Sequence, residues 1–167
     1  MVLNLNYRSL SSQSPLSANE ESAVLACARS LQRSASAGNV QPLLRGKHLV
    51  LLCTTEAGVS AAFFMQAAQA LGAHVAQVQS RLSAHSSADE VRRTARMLGR
   101  LYDAVECEGL ASSLVHQMSH EAGIPVFDSL ASPGHPIASL AELLDEPSTP
   151  DARHRLVLQA ALVSSLS

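Results

Sequence analysis

Lysine is nearly missing from this 167-residue chain: Lys47 is the only one among 12 basic residues. A bias toward arginine of this size suggests a high-GC bacterial genome and leaves function open. The basic residues are scattered rather than striped and the formal net charge is -2, so the electrostatic footprint that duplex DNA or an anionic lipid surface requires is absent. No nucleic-acid partner is expected. No run approaches the roughly 20 apolar residues that span a bilayer, and no N-terminal stretch joins a basic start to an apolar segment. The expected location is the cytoplasm, with no membrane partner. Cysteines are few, odd in number and far apart. Cys27, Cys53 and Cys107 each sit in an apolar run, which suits reduced core thiols rather than a disulfide framework or a metal site. What the chain has in quantity is apolar side chains, 47% against 16% charged, enough to pack the core of one domain.

Periodicity sets the order of elements. Residues 1–17 are polar and expected to be loosely ordered, with residues 18–167 forming the single domain. Ala18 to Leu31 opens with Glu20 and Glu21 and carries apolar Val24, Leu25 and Ala28, a helix with acids at its N-terminus. The run LVLLC, Leu49 to Cys53, is apolar throughout, the pattern of a strand buried on both faces of a parallel sheet. A helix from about Ser60 to Leu71 follows, stopped by Gly72. Then come a strand HVAQV, a helix Ala88 to Leu101, a strand DAVEC, a helix Leu110 to Ala122 stopped by Gly123, and a strand IPVF. Strands alternating with helices of this length predict right-handed crossovers and an α/β fold, a four-stranded parallel sheet with helices on both faces. A further helix is expected from His135 to Leu144, then a break at EPSTP. The last helix, Asp151 to Leu166, has Leu156, Val157, Leu158, Leu162 and Val163 on most of its sides, so the domain or another subunit must enclose it.

Ligands of open parallel sheets bind beyond the carboxyl ends of the strands. Three segments qualify: TTEAGVS after the first strand, ECEGLAS after the third and DSLASPGHP after the fourth. Together with LLRGKHLVLLC, RRTARMLGRLYDAV and IPVFDSLASPGHPIASLAELL, and taken in that order, they resemble the aspartate/ornithine carbamoyltransferase family over its carbamoyl phosphate domain. The resemblance implies a three-layer α/β/α fold with its sheet core over residues 43–145, no cofactor, and active sites formed between the subunits of a trimer.

The departures from the family bear on function. Its first loop reads Ser-Thr-Arg-Thr-Arg and grips a phosphate at the N-terminus of the next helix. The matching stretch here is Ala57, Gly58, Val59, Ser60 and Ala61, in which only Ser60 keeps a hydroxyl. Where the family has an arginine at the end of the third strand, this chain has Glu108. The His-Pro-x-Gln motif survives as His135, Pro136, Ile137 and Ala138, its glutamine gone. The stretch that in the family supplies a basic side chain to the neighbouring subunit, about Leu82 to Val91, contains none. Preorganised charge on a phosphate leaving group is commonly the largest catalytic contribution, and each lost contact of that kind costs about 2–4 kcal/mol. Losing three implies no useful carbamoyl phosphate binding or transfer. Backbone amides at Gly58, Val59 and Ser60 remain as a weak anion site. The expected remnant cleft is Gly58, Val59, Ser60, Glu108 and His135, with no residue assigned to catalysis. His135 has the chemistry of an acid/base, but without arginine neighbours it is read as a structural leftover. Glu56 and Glu108 stand where the two loops could share one mouth, which would suit a cationic ligand or raise a carboxyl pKa.

The tail RHRLVLQAALVSSL, Arg153 to Leu166, resembles the family's terminal helix, N-R-x-x-x-Q-x-A-L, at Arg155, Gln159, Ala161 and Leu162. In the family a second domain, which binds the amino acid acceptor, precedes that helix. Here EPSTP stands in its place, and the tail is expected to return against Val24, Leu25 and Ala28. Two further spacings are read as helix surface. His116 and His120, four apart, share a face that can hold zinc, but no third ligand is evident and no metal is assigned. Arg92, Arg96 and Arg100 form a stripe that Asp89 can pair with. These readings describe a catalytically degenerate carbamoyltransferase-like protein acting through association, as a homotrimer or with an intact carbamoyltransferase. Two others stay open: a small-ligand binder or enzyme of altered specificity using Ser60, Glu108 and His135, and one half of a split carbamoyltransferase.

Overall fold

The computed structural model describes residues 15–54, 58–145 and 149–166. In chain order the elements are α1 (Ala18–Ser36), β1 (His48–Cys53), α2 (Val59–Ala70), β2 (His74–Gln79), α3 (Ala88–Leu101), β3 (Ala104–Glu108), α4 (Ser112–Ala122), β4 (Val126–Asp128), a 3-10 helix (Pro136–Leu143) and α5 (Pro150–Leu166). The four strands pair in parallel in the order β2-β1-β3-β4.

That order explains the residue pattern of β1. Leu49, Leu51 and Cys53 face one core with α2 and α5, while Val50 and Leu52 face a second core with α3 and α4. With helices over both faces, neither side of the strand can be polar. From β1 the chain steps outward through α2 to β2, then crosses back over β1 through α3 to reach β3. Right-handed crossovers running in opposite directions put α2 and α3 on opposite faces. The reversal leaves a switch point between the carboxyl ends of β1 and β3, the usual place for a ligand in an open α/β sheet.

Local chemistry starts and stops the helices. Ser17 with Glu20 and Ser87 with Glu90 form reciprocal capping boxes at α1 and α3, each satisfying two otherwise unpaired amides. α1 runs past the expected end at Leu31 to Ser36, with Arg33 in its last turn and Gly38 at φ 70 just beyond. The segment expected as a helix from His135 is of the tighter 3-10 type. The side chain of His135 accepts from Ile137 N, the backbone closes Ala138 N onto His135 O at 2.9 Å, and Ser139 Oγ donates to Pro136 O at 2.9 Å. Such short-range bonds favour i to i+3 closure. The arginine stripe of α3 is a clamp as well as a surface: Arg92 and Arg96 reach Glu121 of α4 at 3.5 and 3.2 Å, and Arg92 also reaches Asp89 at 3.1 Å.

α5 is enclosed on nearly every side. Val157, Leu158, Ala160, Ala161 and Leu162 are all fully buried, packed against α1, α2 and the 3-10 helix. α1 in turn rests on α5 and the 3-10 helix, with Val24 and Ala28 in the shared core.

Candidate functional site

The switch point is built by two strand ends. Cys53 and Glu108 are paired in register, and Thr54 N donates to Glu108 O at 3.4 Å. Gly109 then turns the chain at φ 78, where a Cβ would stand 2.6 Å from Thr54 Oγ1, so both the backbone angle and the space call for glycine.

Beyond β1, Gly58 is the extended N-cap of α2. It makes no side-chain cap, and the first turn holds no acid, so among the described residues no side chain is given to the first amides of α2, the kind of position that favours an anion. Val59 is 89% exposed, whereas Ala61 is 1% exposed and belongs to the core. Of the two positions matching the family's arginines in this loop, only Val59 therefore projects outward. Ser60 is half-buried beside it. Glu56 lies outside the described residues.

Acidic side chains gather at the other strand end. Glu108 is half-buried, its Oε1 enclosed without a hydrogen-bond partner, and its pKa is raised by burial first and by the charge of Asp128 second. Two residues back, Glu106 is fully buried and accepts from Leu130 N at 3.1 Å through both carboxylate oxygens. Burial, then Glu108, push its carboxyl well above the ordinary range. Asp128 is buried too and accepts from Ser112 Oγ at 2.9 Å. Sequence reasoning passed over Glu106 and Asp128. The available signal was an acid inside the otherwise apolar strand AVEC and another directly after IPVF.

The thiols at this end are poor nucleophiles. Burial and then the neighbouring carboxylates raise the pKa of both Cys53 and Cys107, which suppresses the reactive thiolate. Cys27, expected in the core, is only half-buried, though burial raises its pKa as well.

His135 is 3% exposed and caps the 3-10 helix, its Nδ1 accepting from Ile137 N at 3.2 Å. That bond places the ring proton on Nε2. His135 lines a cleft of about 490 Å³ between the 3-10 helix and the start of α5, with Ser139, Glu142, Asp151 and Arg153. Gly58, Val59, Ser60 and Glu108 do not line it. The fold thus brings Gly58–Ser60 and Glu108 to one end of the sheet and sets His135 over a neighbouring cleft. The strand-end site has carboxylates, Glu106, Glu108 and Asp128, where an anion site needs cations, and the N-terminus of α2 beside them.

Comparison with known proteins agrees with this architecture. The family model for the aspartate/ornithine carbamoyltransferase carbamoyl-P binding domain matches residues 8–145. A catabolic ornithine carbamoyltransferase of Burkholderia mallei is 35% identical over 144 residues, which cover 86% of this chain and 43% of that protein. The ornithine carbamoyltransferase of Actinobacillus pleuropneumoniae serotype 5b matches to the same extent. Among solved structures, ornithine carbamoyltransferase from Pyrococcus furiosus superposes with a TM-score of 0.64 at 23% identity, over 81% of this chain and 45% of that one. The chain spans less than half the length of these relatives. It belongs to the aspartate/ornithine carbamoyltransferase family, through the carbamoyl-P binding domain.

Proposed function

We propose that this chain keeps the frame of the carbamoyl phosphate domain without its anion grip, and acts through association rather than carbamoyl transfer. The observation that carries this reading is Glu108, whose carboxyl oxygen stands partnerless at the switch point with Glu106 behind it and Asp128 close enough to raise its pKa. A carboxylate about 5 Å from a phosphate repels it by roughly 3 kcal/mol at an effective dielectric constant near 20. The amides of α2 offset only part of this, since a helix N-terminus is worth about 0.3–1 kcal/mol at an exposed position.

The contact surface this reading requires is the β2 edge of the sheet. Val78, Met97 and Leu101 are 39, 52 and 62% exposed, and a groove of about 440 Å³ runs between β2 and α3, lined by Val78, Leu82, Arg93 and Met97. An open strand edge beside exposed apolar side chains is what a second copy of the chain would cover, and the family resemblance implies a trimer. An intact carbamoyltransferase is the alternative occupant.

Calorimetric titration of the full chain with carbamoyl phosphate tests the first half, and the expected result is no binding. A low-micromolar dissociation constant would overturn it. Sedimentation tests the second half: the mass should exceed the 17.6 kDa of one chain and fall to that value in Met97→Glu. A second reading, a small-ligand site, draws support from the cleft beside His135, and an ordered ligand in that cleft or at the strand ends in a crystal would favour it.

A further inference from the structure

His116 and His120 stand one turn apart on the exposed face of α4, and their rings have converged. The two Nε2 atoms are 3.1 Å apart, with the ring centroids 4.5 Å apart and the planes at 90°. Both rings therefore present the same nitrogen to one place outside the helix. As a bare pair this arrangement is restrictive, because one Nε2 must donate its hydrogen and the other must be an open acceptor. As a pair of metal ligands it is already built. Two nitrogens 3.1 Å apart, each bonded to one ion at about 2.0–2.1 Å, subtend an angle of about 100°, between the square and tetrahedral arrangements.

We propose that His116 and His120 chelate one divalent transition-metal ion of the copper, nickel or zinc class through their Nε2 atoms, at a site distinct from the switch point. Imidazole donors select these ions over calcium and magnesium, which prefer oxygen ligands. Leu114, Val115 and Met118 anchor the opposite side of α4 in the core, so both Cα positions are held before any ion arrives. Among the described residues no third histidine, cysteine or acid completes a three-ligand set. Glu121, next in the chain, is engaged by Arg92 and Arg96. The remaining coordination positions are open to water or to donors on another molecule.

The full chain would be titrated calorimetrically with copper(II), nickel(II) and zinc chlorides in a non-coordinating buffer, beside His116→Ala, His120→Ala and the exposed-loop control His85→Ala. One ion per chain is expected, with copper(II) the tightest. Either site substitution should weaken binding roughly tenfold or more through loss of one of two ligands, while His85→Ala leaves it unchanged. Affinity should also fall as pH is lowered, because the ligands must be neutral. In NMR spectra, copper(II) should broaden the His116 and His120 ring signals before any others. The site substitutions lie on solvent-exposed positions, and unchanged circular dichroism would confirm their folding. Equal affinity in wild type and His116→Ala, broadening that begins elsewhere, or no binding of any of the three ions would each overturn the proposal.

Discussion

Gln159, buried in the middle of α5, donates its side-chain amide to the carbonyl of Ala67 in the last turn of α2 at 3.1 Å, across 92 residues of sequence. Leu71 N turns to Ala68 O, so Ala67 O is among the carbonyls that a helix end leaves over, and the tail supplies its donor.

This bond and the packing around it make α5 a structural keystone for α1, which rests on it. Leu162→Asp would put a charge at a fully buried position and should remove about 3–5 kcal/mol, much of the 5–15 kcal/mol typical of a domain. Gln159→Ala should cost about 1–3 kcal/mol by leaving a buried acceptor unpaired. Removing the residues after Pro150 would uncover Val24 and Ala28 and should cause aggregation. Urea melts measure all three, and a truncated chain that stays soluble and melts like the full one would refute the role given to α5.

Gly99 lets α3 approach α4 backbone to backbone, since a Cβ there would run into the carbonyl oxygen of Ala122. Gly99→Ala is therefore expected to destabilise by about 1–3 kcal/mol through overpacking, against the usual gain when alanine replaces glycine in a helix. A thermal melt showing stabilisation would mean that the two helices separate freely.

Folding raises the pKa of Glu106 above its ordinary value of 4.5. Above that value the unfolded chain releases a proton that the folded chain retains, up to the folded-state pKa. Its contribution to stability is thus most favourable below the ordinary range and is lost as pH rises through this window. Glu106→Gln keeps an oxygen for Leu130 N and removes the ionisation. The substituted chain should be the more stable at about pH 7 and close to wild type at about pH 4, with the melting temperature moving about 2–4 °C per kcal/mol. A wild-type-like pH profile in Glu106→Gln would show that the carboxyl does not govern it.

Restoring cations at the switch point tests the electrostatic argument from the other side. Val59→Arg combined with Glu108→Arg removes one repulsion and adds two donors, each charge-assisted bond contributing about 1.5–3 kcal/mol. Phosphate affinity should rise by at least about tenfold in calorimetry. Ala61→Arg should instead destabilise the chain, because that side chain faces the core. Equal phosphate binding in wild type and the double variant would mean that charge at these positions does not control the site.

Much of the architecture was legible because burial leaves a local signature. LVLLC has no polar alternation since both of its faces are covered, α3 kept its expected bounds of Ala88 to Leu101, and the tail's apolar girth announced an enclosed helix. Strand ends pointed to three loops, of which the fold brings Gly58–Ser60 and Glu108 to one end of the sheet and sets His135 over a separate cleft. Which strands are neighbours did not follow, because a strand's pattern records whether its faces are buried but not what lies beside it. The same limit hid the inward aim of Ala61, the electrostatic coupling of Glu106 and Glu108 on β3 with Asp128 on β4, and the 3-10 closure after His135. Spacing placed His116 and His120 on one face, yet only the rotamers decided that their nitrogens meet. Local pattern reflects the solvent a residue avoids, whereas register, side-chain direction and the fields of distant charges are settled when the elements pack.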